Sequence, residues 1–439
     1  MIPKHVHMVG IGGIGMSALA QLLAHRGVAV TGSDRDESPT TRLLEEKGIH
    51  VHIGSGALPT DAELLVYSDA IPADNLERVQ ARERGIQQIS YFEMLGQISA
   101  SMRTVAIAGT HGKTTTTGMV AKILSDAGGK PTAIIGSIVR DFGLNRPEGA
   151  VGRTGHRPVL GSNFLAGDDK LFVVEACEYR DHLLELSPEI LVITNIELDH
   201  TDFFPSLSAL QNTFRAAVEK VPENGAIIAN PNDPNVAAVL KGAKARVIDY
   251  THKAVGSLQL VGEFNRENAR AALAAAQAAV PLLSQEAGVK SLSEFKGSWR
   301  RFEYKGETPN GALVYDDYAH HPTAVAKTIQ GAREKFPDKK IVVAFHPHLF
   351  SRTKSFLKEF AEALSTADKA IVAPIYAARE KADPTVSHHI LAENARENVI
   401  ALDSFDEIRE ELLKEKEGTL IITMGAGDIY KVAEQITEE

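Results

Sequence analysis

Short apolar runs alternate with amphipathic segments along most of the 439 residues. Segments with helical periodicity include Ser17–Arg26, Thr116–Asp126 and the alanine-rich stretch Ala269–Ala279. Alternation of strands and helices is typical of parallel sheets joined by crossover helices, so the pattern predicts an α/β fold. The predicted strands include His5–Val9, Val28–Thr31, Leu64–Tyr67, Thr104–Ala108, Leu171–Glu175, Ile190–Asn195, Ala226–Ala229, Ile341–Phe345, Ala370–Ala373 and Thr419–Met424.

Two positions have the features of domain boundaries. Near Gln97–Arg103 a helical pattern ends, and a strand with a glycine-rich turn follows. Near Ser298–Arg301 a hairpin is predicted to begin, with strands at Phe302–Lys305 and Ala312–Tyr315 and a Thr-Pro-Asn-Gly turn between them. We therefore predict three domains, each built around a mainly parallel sheet, at residues 1–99, 100–299 and 300–439. The first and third are expected to be Rossmann-like and the second to be similar to P-loop ATPases.

Charge and cysteine content narrow the class of protein. Lys plus Arg number 47 and Asp plus Glu number 57, which gives a net charge of −10. A protein that binds nucleic acid with its whole surface is usually basic, so we expect no nucleic-acid partner. The single cysteine, Cys177, excludes an internal disulfide and fits a reducing compartment. No run of about 18 apolar residues is present, so we expect no membrane partner and a cytoplasmic location.

The first predicted strand leads into a glycine-rich turn, Gly10-Ile11-Gly12-Gly13-Ile14-Gly15, which a helix follows. In this strand–turn–helix context the glycines allow the backbone to approach a diphosphate, and the helix N-terminus favours negative charge. Asp34 ends the next strand, where a carboxylate can bind ribose hydroxyls. The motif alone does not distinguish a nicotinamide dinucleotide from another nucleotide diphosphate.

A second glycine-rich loop follows strand Thr104–Ala108 and has the sequence Gly109-Thr110-His111-Gly112-Lys113-Thr114-Thr115. Lys113 is predicted to neutralise the β- and γ-phosphates of ATP, and the Thr114 hydroxyl to bind Mg²⁺. The loop is a variant of the usual phosphate loop, because Ile107 stands at the position of the first glycine. A dehydrogenase needs no ATP site, so the presence of both loops argues against one.

With the two glycine loops, several further blocks resemble the Mur ligases, the ATP-dependent amide-forming enzymes of peptidoglycan precursor synthesis. The resemblance spans nearly the whole chain. Its further blocks are Glu175-Ala176-Cys177-Glu178-Tyr179, Thr194-Asn195-Ile196-Glu197-Leu198-Asp199-His200, Asn265-Arg266-Glu267-Asn268-Ala269, Arg300-Arg301-Phe302-Glu303, Asp316-Asp317-Tyr318-Ala319-His320-His321-Pro322-Thr323, Phe345-His346-Pro347-His348-Leu349-Phe350-Ser351-Arg352-Thr353 and Gly425-Ala426-Gly427-Asp428.

The resemblance implies ligation of L-alanine to the lactyl carboxylate of UDP-N-acetylmuramate through an acyl phosphate, with ATP and Mg²⁺ as cofactors. It further implies a monomer or weak dimer. One alternative is a ligase that adds a whole murein tripeptide to the same nucleotide sugar. Others are a nicotinamide-dependent oxidoreductase that uses the first glycine loop, and a nucleotide-binding regulator without catalysis. The sequence leaves open whether L-alanine, glycine, L-serine or the tripeptide is the preferred amine.

The resemblance also implies roles for individual residues. The UDP-sugar is expected to contact Gly12, Gly13, Ile14, Asp34 and Ser68. ATP is expected to lie on Gly109–Thr115 and to contact Asn265, Asn268, Arg301 and Asp317, and the magnesium ligands are expected to be Thr114, Glu175 and His200. The amino acid is expected to contact Tyr318, His320, His348 and Arg352, and the residues expected to act in catalysis are Lys113, Glu175, His200, His348 and Arg352.

Two departures from the family pattern stand close together. Phe264 occupies a position where histidine is usual, next to the two asparagines expected to bind adenine. The chain between Asp249 and Gly262 is very short, where relatives carry extra strands. We therefore expect the small accessory sheet of the central domain to be missing or reduced.

Overall fold

Three β-sheets organise the chain in a computed structural model, which describes residues 3–54, 56–143, 161–378 and 380–438. Each sheet lies inside one of the three predicted domain ranges, while the boundaries at residues 99 and 299 remain predictions. The chain divides into two compact units. Unit 1 comprises residues 1–196, 211–256 and 269–296, and unit 2 comprises residues 197–210, 257–268 and 297–439.

The first sheet belongs to unit 1, and all its strand pairs are parallel. Within the described residues its strand order is β3-β2-β1-β4-β5. Successive strands are added on one side from β1 to β3 and on the other side from β4 to β5. Ligands of open α/β sheets bind at such a switch in strand order, which here lies between β1 and β4. The elements are β1 (His5–Val9), α1 (Ile14–His25), β2 (Ala29–Asp34), α2 (Pro39–Glu46), β3 (His50–Ile53), β4 (Leu64–Tyr67), α3 (Leu76–Glu83), β5 (Gln87–Ser90) and α4 (Tyr91–Ala100).

The second sheet has the order β12-β11-β10-β6-β9-β7-β8 in the described residues, and only its β7–β8 pair is antiparallel. Strand β6 therefore lies between β9 and β10, and the carboxyl ends of these three strands meet at one edge. The strands are β6 (Arg103–Ala108), β7 (Thr132–Val139), β8 (Ser162–Leu165), β9 (Leu171–Glu175), β10 (Ile190–Ile193), β11 (Ala226–Ala229) and β12 (Arg246–Asp249). The helices are α5 (Lys113–Asp126), a 3₁₀ helix (Tyr179–Glu185), α6 (Leu207–Lys220), α7 (Pro234–Leu240), α8 (Glu263–Ala279) and α9 (Gln285–Glu294).

Two helices of unit 1 begin earlier than their apolar patterns predict. Helix α1 begins at Ile14, whereas the pattern places its start at Ser17, and α5 begins at Lys113, whereas the pattern places its start at Thr116. In both cases the helix begins inside the glycine-rich motif, so Ile14 and Gly15 of the first motif and Lys113–Thr115 of the second are already helical. The segment between Asp249 and Glu263 contains no strand, in line with its short length.

The third sheet belongs to unit 2 and has the order β13-β14-β18-β15-β16-β17, with only the edge strand β13 antiparallel in the described residues. Both faces are buried: Val343 and Phe345 of β15 pack in one apolar core, and Val342 and Ala344 pack in the other. The strands are β13 (Glu303–Glu307), β14 (Leu313–Asp317), β15 (Lys340–Phe345), β16 (Lys369–Val372), β17 (Val399–Ala401) and β18 (Thr419–Met424). The helices are α10 (Pro322–Lys335), α11 (Phe350–Ser355), α12 (Leu357–Leu364), α13 (His388–Glu393), α14 (Phe405–Leu412) and α15 (Tyr430–Glu438).

The hairpin predicted at the start of the third domain is present as β13 and β14. Its turn is closed by a hydrogen bond of 2.8 Å from the Gly311 N–H to the Thr308 carbonyl. In the part of the chain that the structure describes, no helix combines the length and the apolar character needed to cross a bilayer.

Candidate active site

The first glycine loop is held by the carboxylate that was expected to bind ribose. The Gly12 N–H donates a hydrogen bond of 2.8 Å to Oδ2 of Asp34. A Cβ atom at Gly12 would lie 2.8 Å from the same oxygen, so the close approach requires glycine. A Cβ at Gly10 would lie 3.1 Å from Cβ of Ser68. The structure therefore brings the first loop, Asp34 and Ser68 together at the carboxyl ends of β1, β2 and β4.

Next to this loop lies Arg78, a residue that the motifs did not indicate. The Arg78 guanidinium lies 3.6 Å above the ring of Tyr67 and donates a hydrogen bond of 2.7 Å to the Ile71 carbonyl. Arg78 belongs to α3, which carries no recognisable motif, so only the folded chain reveals its position. A cation stacked on an aromatic ring beside a diphosphate loop adds positive charge to this strand edge.

A close approach also shapes the phosphate loop. Gly109 has a φ of +128°, and a Cβ atom there would lie 2.0 Å from Oγ1 of Thr194. Asn195, at the carboxyl end of β10, accepts the His111 N–H at 2.9 Å with its Oδ1 and donates its Nδ2 to the His111 carbonyl at 3.1 Å. The side chain of Asn195 therefore holds the middle of the loop by two hydrogen bonds.

The Lys113 ammonium is paired with Glu178 in this structure. Its Nζ lies 3.0 and 2.9 Å from the two carboxylate oxygens and donates a further hydrogen bond of 3.1 Å to the Thr110 carbonyl. Burial alone would lower the pKa of Lys113, but the acidic groups around it, with the charge and hydrogen bond of Glu178 foremost, together outweigh this effect and the pKa is raised. Glu178 was not selected from the sequence, although it lies in the Glu-Ala-Cys-Glu-Tyr block.

The oxygen atoms of Thr114 and Glu175 form a pair suited to magnesium. The Thr114 hydroxyl donates a hydrogen bond of 3.2 Å to Oε2 of Glu175, whose Oε1 accepts the Gly136 N–H at 2.5 Å. Mg²⁺ prefers such hard oxygen ligands and is usually bound by one or two carboxylates plus phosphates. The third predicted ligand, His200, belongs to unit 2, so the predicted set is divided between the units.

The residues expected to bind the amino acid lie together in unit 2. Arg352 donates from Nε and Nη2 to Oδ1 of Asp199, at 2.9 and 2.7 Å, and its Nη1 lies 3.0 Å from Nδ1 of His348. Burial would raise the pKa of Asp199, but Arg352 and the nearby histidines hold it well below its usual range. Asp199 also accepts the N–H of His200 at 2.7 Å. The sequence did not indicate Asp199 as a partner of Arg352.

Histidine and tyrosine rings surround this ion pair. His320 contacts Tyr318 and His348 edge to face, and His348 is stacked on Tyr376 at 5.6 Å. Burial and the charge of Arg352 lower the pKa of His320 well below its usual value. A neutral imidazole has one N–H donor and one acceptor nitrogen, and Nδ1 of His320 lies 2.8 Å from the Tyr318 carbonyl.

Asp317 has its carboxylate committed to the backbone. Its two oxygens accept the N–H groups of Phe302 at 2.7 Å and Ala319 at 2.8 Å, and burial raises its pKa despite the nearby charge of Arg301. The Arg301 guanidinium lies 5.0 Å from the centre of the Tyr318 ring. In this structure Asp317 therefore positions the turn that carries Arg301.

The neighbouring arginine is a structural residue that the sequence did not single out. Arg300 is buried, pairs with Asp316 at 2.8 Å and donates to the carbonyls of Gly425 and Gly427. These bonds join the carboxyl end of β14 to the loop that follows β18. The two consecutive arginines therefore have different surroundings: Arg300 is buried, and Arg301 lies against the ring of Tyr318.

The two asparagines expected to bind adenine are both buried in the first turns of α8. Asn265 donates to the Val261 carbonyl at 2.7 Å, and Nδ2 of Asn268 lies 3.3 Å from Oδ1 of Asn265. Burial raises the pKa of the Cys177 thiol to about 12, which disfavours the thiolate form that a nucleophilic cysteine needs.

Three domain descriptions of one family match successive parts of the chain. They are the "Mur ligase family, catalytic domain" at residues 5–103, the "Mur ligase middle domain" at residues 107–256 and the "Mur ligase, glutamate ligase domain" at residues 300–427. These matches and the three α/β sheets confirm the predicted family and fold class.

Relatives of known name cover nearly the whole chain. The UDP-N-acetylmuramate–L-alanine ligase of Clostridium novyi (strain NT) is 38% identical over 99% of this chain and 97% of its own length. The enzyme of the same name from Acetivibrio thermocellus is 38% identical over 99% of this chain and 96% of its own length.

Solved structures of two kinds of ligase have the same fold. The UDP-N-acetylmuramate–alanine ligase of Thermotoga maritima matches with a TM-score of 0.80 and 25% identity, over 99% of this chain and 98% of its own. A murein peptide ligase from Psychrobacter arcticus matches with a TM-score of 0.73 and 26% identity, over the same shares of both chains. With the glycine loops and the Thr114–Glu175 pair in place, the chain belongs to the Mur ligase family.

Proposed function

We propose that the chain joins L-alanine to the lactyl carboxylate of UDP-N-acetylmuramate, with conversion of ATP to ADP and phosphate. The observation that carries the proposal is the loop of Gly109–Thr115, where Lys113 lies beside the oxygen pair of Thr114 and Glu175. This arrangement suits the phosphates and magnesium ion of ATP, and relatives named for this reaction match the full chain.

An amide forms from a carboxylate only after the carboxylate is activated. In the proposed reaction the lactyl carboxylate attacks the γ-phosphorus, which breaks the bond to the β–γ bridging oxygen and gives an acyl phosphate and ADP. The amine of L-alanine then attacks the acyl carbon, loses a proton, and phosphate leaves from the tetrahedral intermediate. The first step brings two anions together, so positive groups that lower their repulsion lower the barrier.

The chain supplies several such groups in unit 1. Lys113 carries the charge that screens the γ-phosphate, and the backbone N–H groups of the loop supply further donors. Mg²⁺, held by Thr114 and Glu175 with His200 as a proposed further ligand, would neutralise charge on the phosphates. As ATP binds, Lys113 is proposed to exchange the carboxylate of Glu178 for phosphate oxygens.

In unit 2, Arg352 and His348 are proposed to bind the carboxylate of L-alanine. Nε and Nη2 of Arg352 donate to Asp199, so the proposed contact with the amino acid uses Nη1, which lies 3.0 Å from Nδ1 of His348. A hydrogen bond from a charged guanidinium to a carboxylate is stronger than one between neutral groups. His320, Tyr318, Arg301, Asn265 and Asn268 are proposed to contact the amino acid or ATP, and the first glycine loop with Asp34 and Ser68 to contact the UDP-sugar. Monomeric or weakly dimeric behaviour and a cytoplasmic location complete the proposal.

The murein peptide ligase of P. arcticus has the same fold with a lower TM-score, 0.73 against 0.80, so the tripeptide is included in the test as a second amine. The test is release of ADP by purified protein given ATP, Mg²⁺, UDP-N-acetylmuramate and, in separate reactions, L-alanine, glycine, L-serine or the tripeptide. L-alanine is expected to give the highest kcat/KM. A preference for the tripeptide would replace the amine in the proposal, and a lack of ADP with every amine would overturn the ligase assignment.

A binding assay with nicotinamide dinucleotides tests the alternative that the protein is an oxidoreductase. The first glycine loop is compatible with a dinucleotide, so the same protein is titrated with NAD⁺ and NADH. We expect no tight binding, because UDP-N-acetylmuramate is the proposed ligand of that loop. Nanomolar binding of NAD⁺ together with absence of ADP release would favour the oxidoreductase.

A further inference from the structure

Two adjacent histidines in unit 2 converge on one carboxylate oxygen. His388 and His389 each place Nε2 at 2.8 Å from Oδ1 of Asp403, and their ring centroids are 4.1 Å apart. The side chains of consecutive helical residues point about 100° apart, so they normally contact different neighbours. The convergence of both rings on one oxygen is therefore a particular feature of the start of α13.

Local hydrogen bonds hold both sides of this cluster. The Ser387 hydroxyl caps α13 by accepting the Ile390 N–H at 3.1 Å, which places the two histidines in the first turn. On the other side, the Asp403 N–H donates to Oε2 of Glu407 at 2.9 Å. The histidines and the aspartate thus belong to two separately anchored segments, one at the start of α13 and one between β17 and α14.

The three ligating atoms have the spacing of a metal site. The two Nε2 atoms and a carboxylate oxygen of Asp403 all lie within 4.8 Å of one another. Around a tetrahedral zinc ion with bonds of about 2.0–2.1 Å, neighbouring ligand atoms lie about 3.3 Å apart. The two nitrogen–oxygen distances of 2.8 Å need to open by a few tenths of an ångström to admit an ion. The two nitrogens, which lie within 4.8 Å of each other, need to come to a similar separation.

We propose that His388, His389 and Asp403 form a binding site for a divalent transition metal ion of the zinc class. Imidazole nitrogen favours Zn²⁺, Ni²⁺, Co²⁺ and Cu²⁺ over Mg²⁺ and Ca²⁺, which prefer all-oxygen sites. His388 is 13% exposed, His389 52% and Asp403 68%, so an ion from solution reaches the site without rearrangement of the core. Three protein ligands leave a fourth position for water or another ligand.

The site is independent of the proposed ligase chemistry. None of its three residues belongs to the glycine loops or to the Thr114–Glu175 pair. None belongs to the group formed by Arg352, Asp199 and His348 either. Asp403 also lines a cavity of about 470 Å³ together with His346, Tyr376 and Phe405. A bound ion would join the start of α13 to the loop after β17, and binding to the folded state alone raises the midpoint of unfolding.

The test uses the full-length chain without an affinity tag, freed of metals with a chelator and kept in millimolar Mg²⁺. Zn²⁺ is added in a calorimetric titration and, separately, in a thermal unfolding experiment. The double variant H388Q/H389Q is expected to bind about one Zn²⁺ fewer than the wild type and to lose most of the rise in unfolding midpoint. D403N is expected to weaken the same step about tenfold or more.

The matched control is His252→Gln. His252 is 84% exposed and lies 3.3 Å from the carboxylate of Asp249, so it offers one imidazole and one carboxylate without a second imidazole. This variant is expected to retain wild-type Zn²⁺ binding. If the double variant unfolds before the titration, the half-exposed single variant H389Q takes its place. Unchanged Zn²⁺ stoichiometry and unfolding midpoint in H389Q and D403N would overturn the proposal.

Discussion

Asp199 and Arg352 form a buried ion pair in unit 2, although 153 positions separate them in the chain. Their side chains are 6% and 3% exposed, and two guanidinium nitrogens donate to the same Oδ1. Arg352 is the residue proposed to bind the carboxylate of the amino acid. Nε and Nη2 of Arg352 are therefore already bonded to a carboxylate, that of Asp199. Only Nη1 of the guanidinium points away from Asp199, and it lies beside His348.

Loss of the charge of Asp199 is expected to destabilise the fold. Asp199→Asn preserves the shape of the side chain but leaves the buried Arg352 cation without its counter-ion, and such changes cost about 3–5 kcal/mol. We expect a clear fall in the midpoint of urea unfolding at pH 7. The control is Glu362→Gln, whose exposed pair with Lys358 has a separation of 3.8 Å and is expected to contribute little.

The pH dependence of this variant identifies the cause. The pKa of Asp199 is well below its usual range in the folded chain, so its stabilising effect is present above the unfolded pKa of about 3.9 and is lost as the pH falls below that value. The difference between wild type and Asp199→Asn is therefore expected to narrow below pH 4. Equal midpoints at pH 7 would show that Asp199 contributes no electrostatic stabilisation.

Gly109 is expected to tolerate no side chain. Gly109→Ala places a Cβ atom 2.0 Å from Oγ1 of Thr194, at a φ of +128°, and so displaces the loop that holds Lys113. We expect loss of ATP binding and a fall in turnover of about 10²-fold or more, because positioning errors of 1 Å have effects of that size. Isothermal titration with ATP and the ADP assay measure the two effects.

Gly128→Ala is the control that separates the effect of a steric clash, as at Gly109, from the effect of a side chain at a positive φ alone. Gly128 has a φ of +81°, but no atom lies within 4 Å of a Cβ built there. Its substitution is expected to cost about 1 kcal/mol of stability and to leave turnover near the wild-type value. If both alanine variants bound ATP normally, the phosphate loop would not be the nucleotide site.

Lys113→Ala is expected to lower kcat by about 10²–10³-fold, the usual effect of losing one preorganised charge at a transition state. Its unfolding midpoint is expected to fall, because the carboxylate of Glu178 is 1% exposed and loses its counter-ion, while the unfolding transition is expected to remain cooperative. Turnover close to that of the wild type would refute the role of Lys113 in the reaction.

The sequence predicted those features that depend on neighbouring residues. The glycine loops and the approximate positions of the strands follow from local patterns, whereas helices α1 and α5 begin earlier than those patterns predict. Thr114 and Glu175 meet because they lie at the carboxyl ends of adjacent parallel strands. The sequence could not predict that Glu178 pairs with Lys113, nor that Asp199 pairs with Arg352. These pairings depend on tertiary packing. The sequence shows that a motif contains a glutamate or aspartate, but it does not show whether that carboxylate binds a metal ion or pairs with a lysine or arginine.

Glu178→Gln is expected to strengthen ATP binding. The carboxylate of Glu178 is 1% exposed and lies 2.9 Å from Lys113, so ATP brings further negative charge close to it. Removal of that charge relieves the repulsion and frees the ammonium for phosphate. We expect the Kd for ATP to fall several-fold and the unfolding midpoint without ATP to fall. A weaker Kd would instead indicate that Glu178 positions Lys113 in the bound state.

His346 is expected to make the stability of unit 2 depend on pH between about 4 and 6.5. Burial lowers the pKa of its ring to about 4, and Nδ1 has no hydrogen-bond partner among the described residues. In this window the unfolded chain binds a proton that the folded chain does not, so stability rises with pH and is fully present above 6.5. The shift corresponds to about 3 kcal/mol. His346→Gln is expected to reduce the difference in urea midpoint between pH 4.5 and pH 7, whereas the exposed control His50→Gln keeps it. An unchanged difference in His346→Gln would show that this histidine is charged in the folded chain.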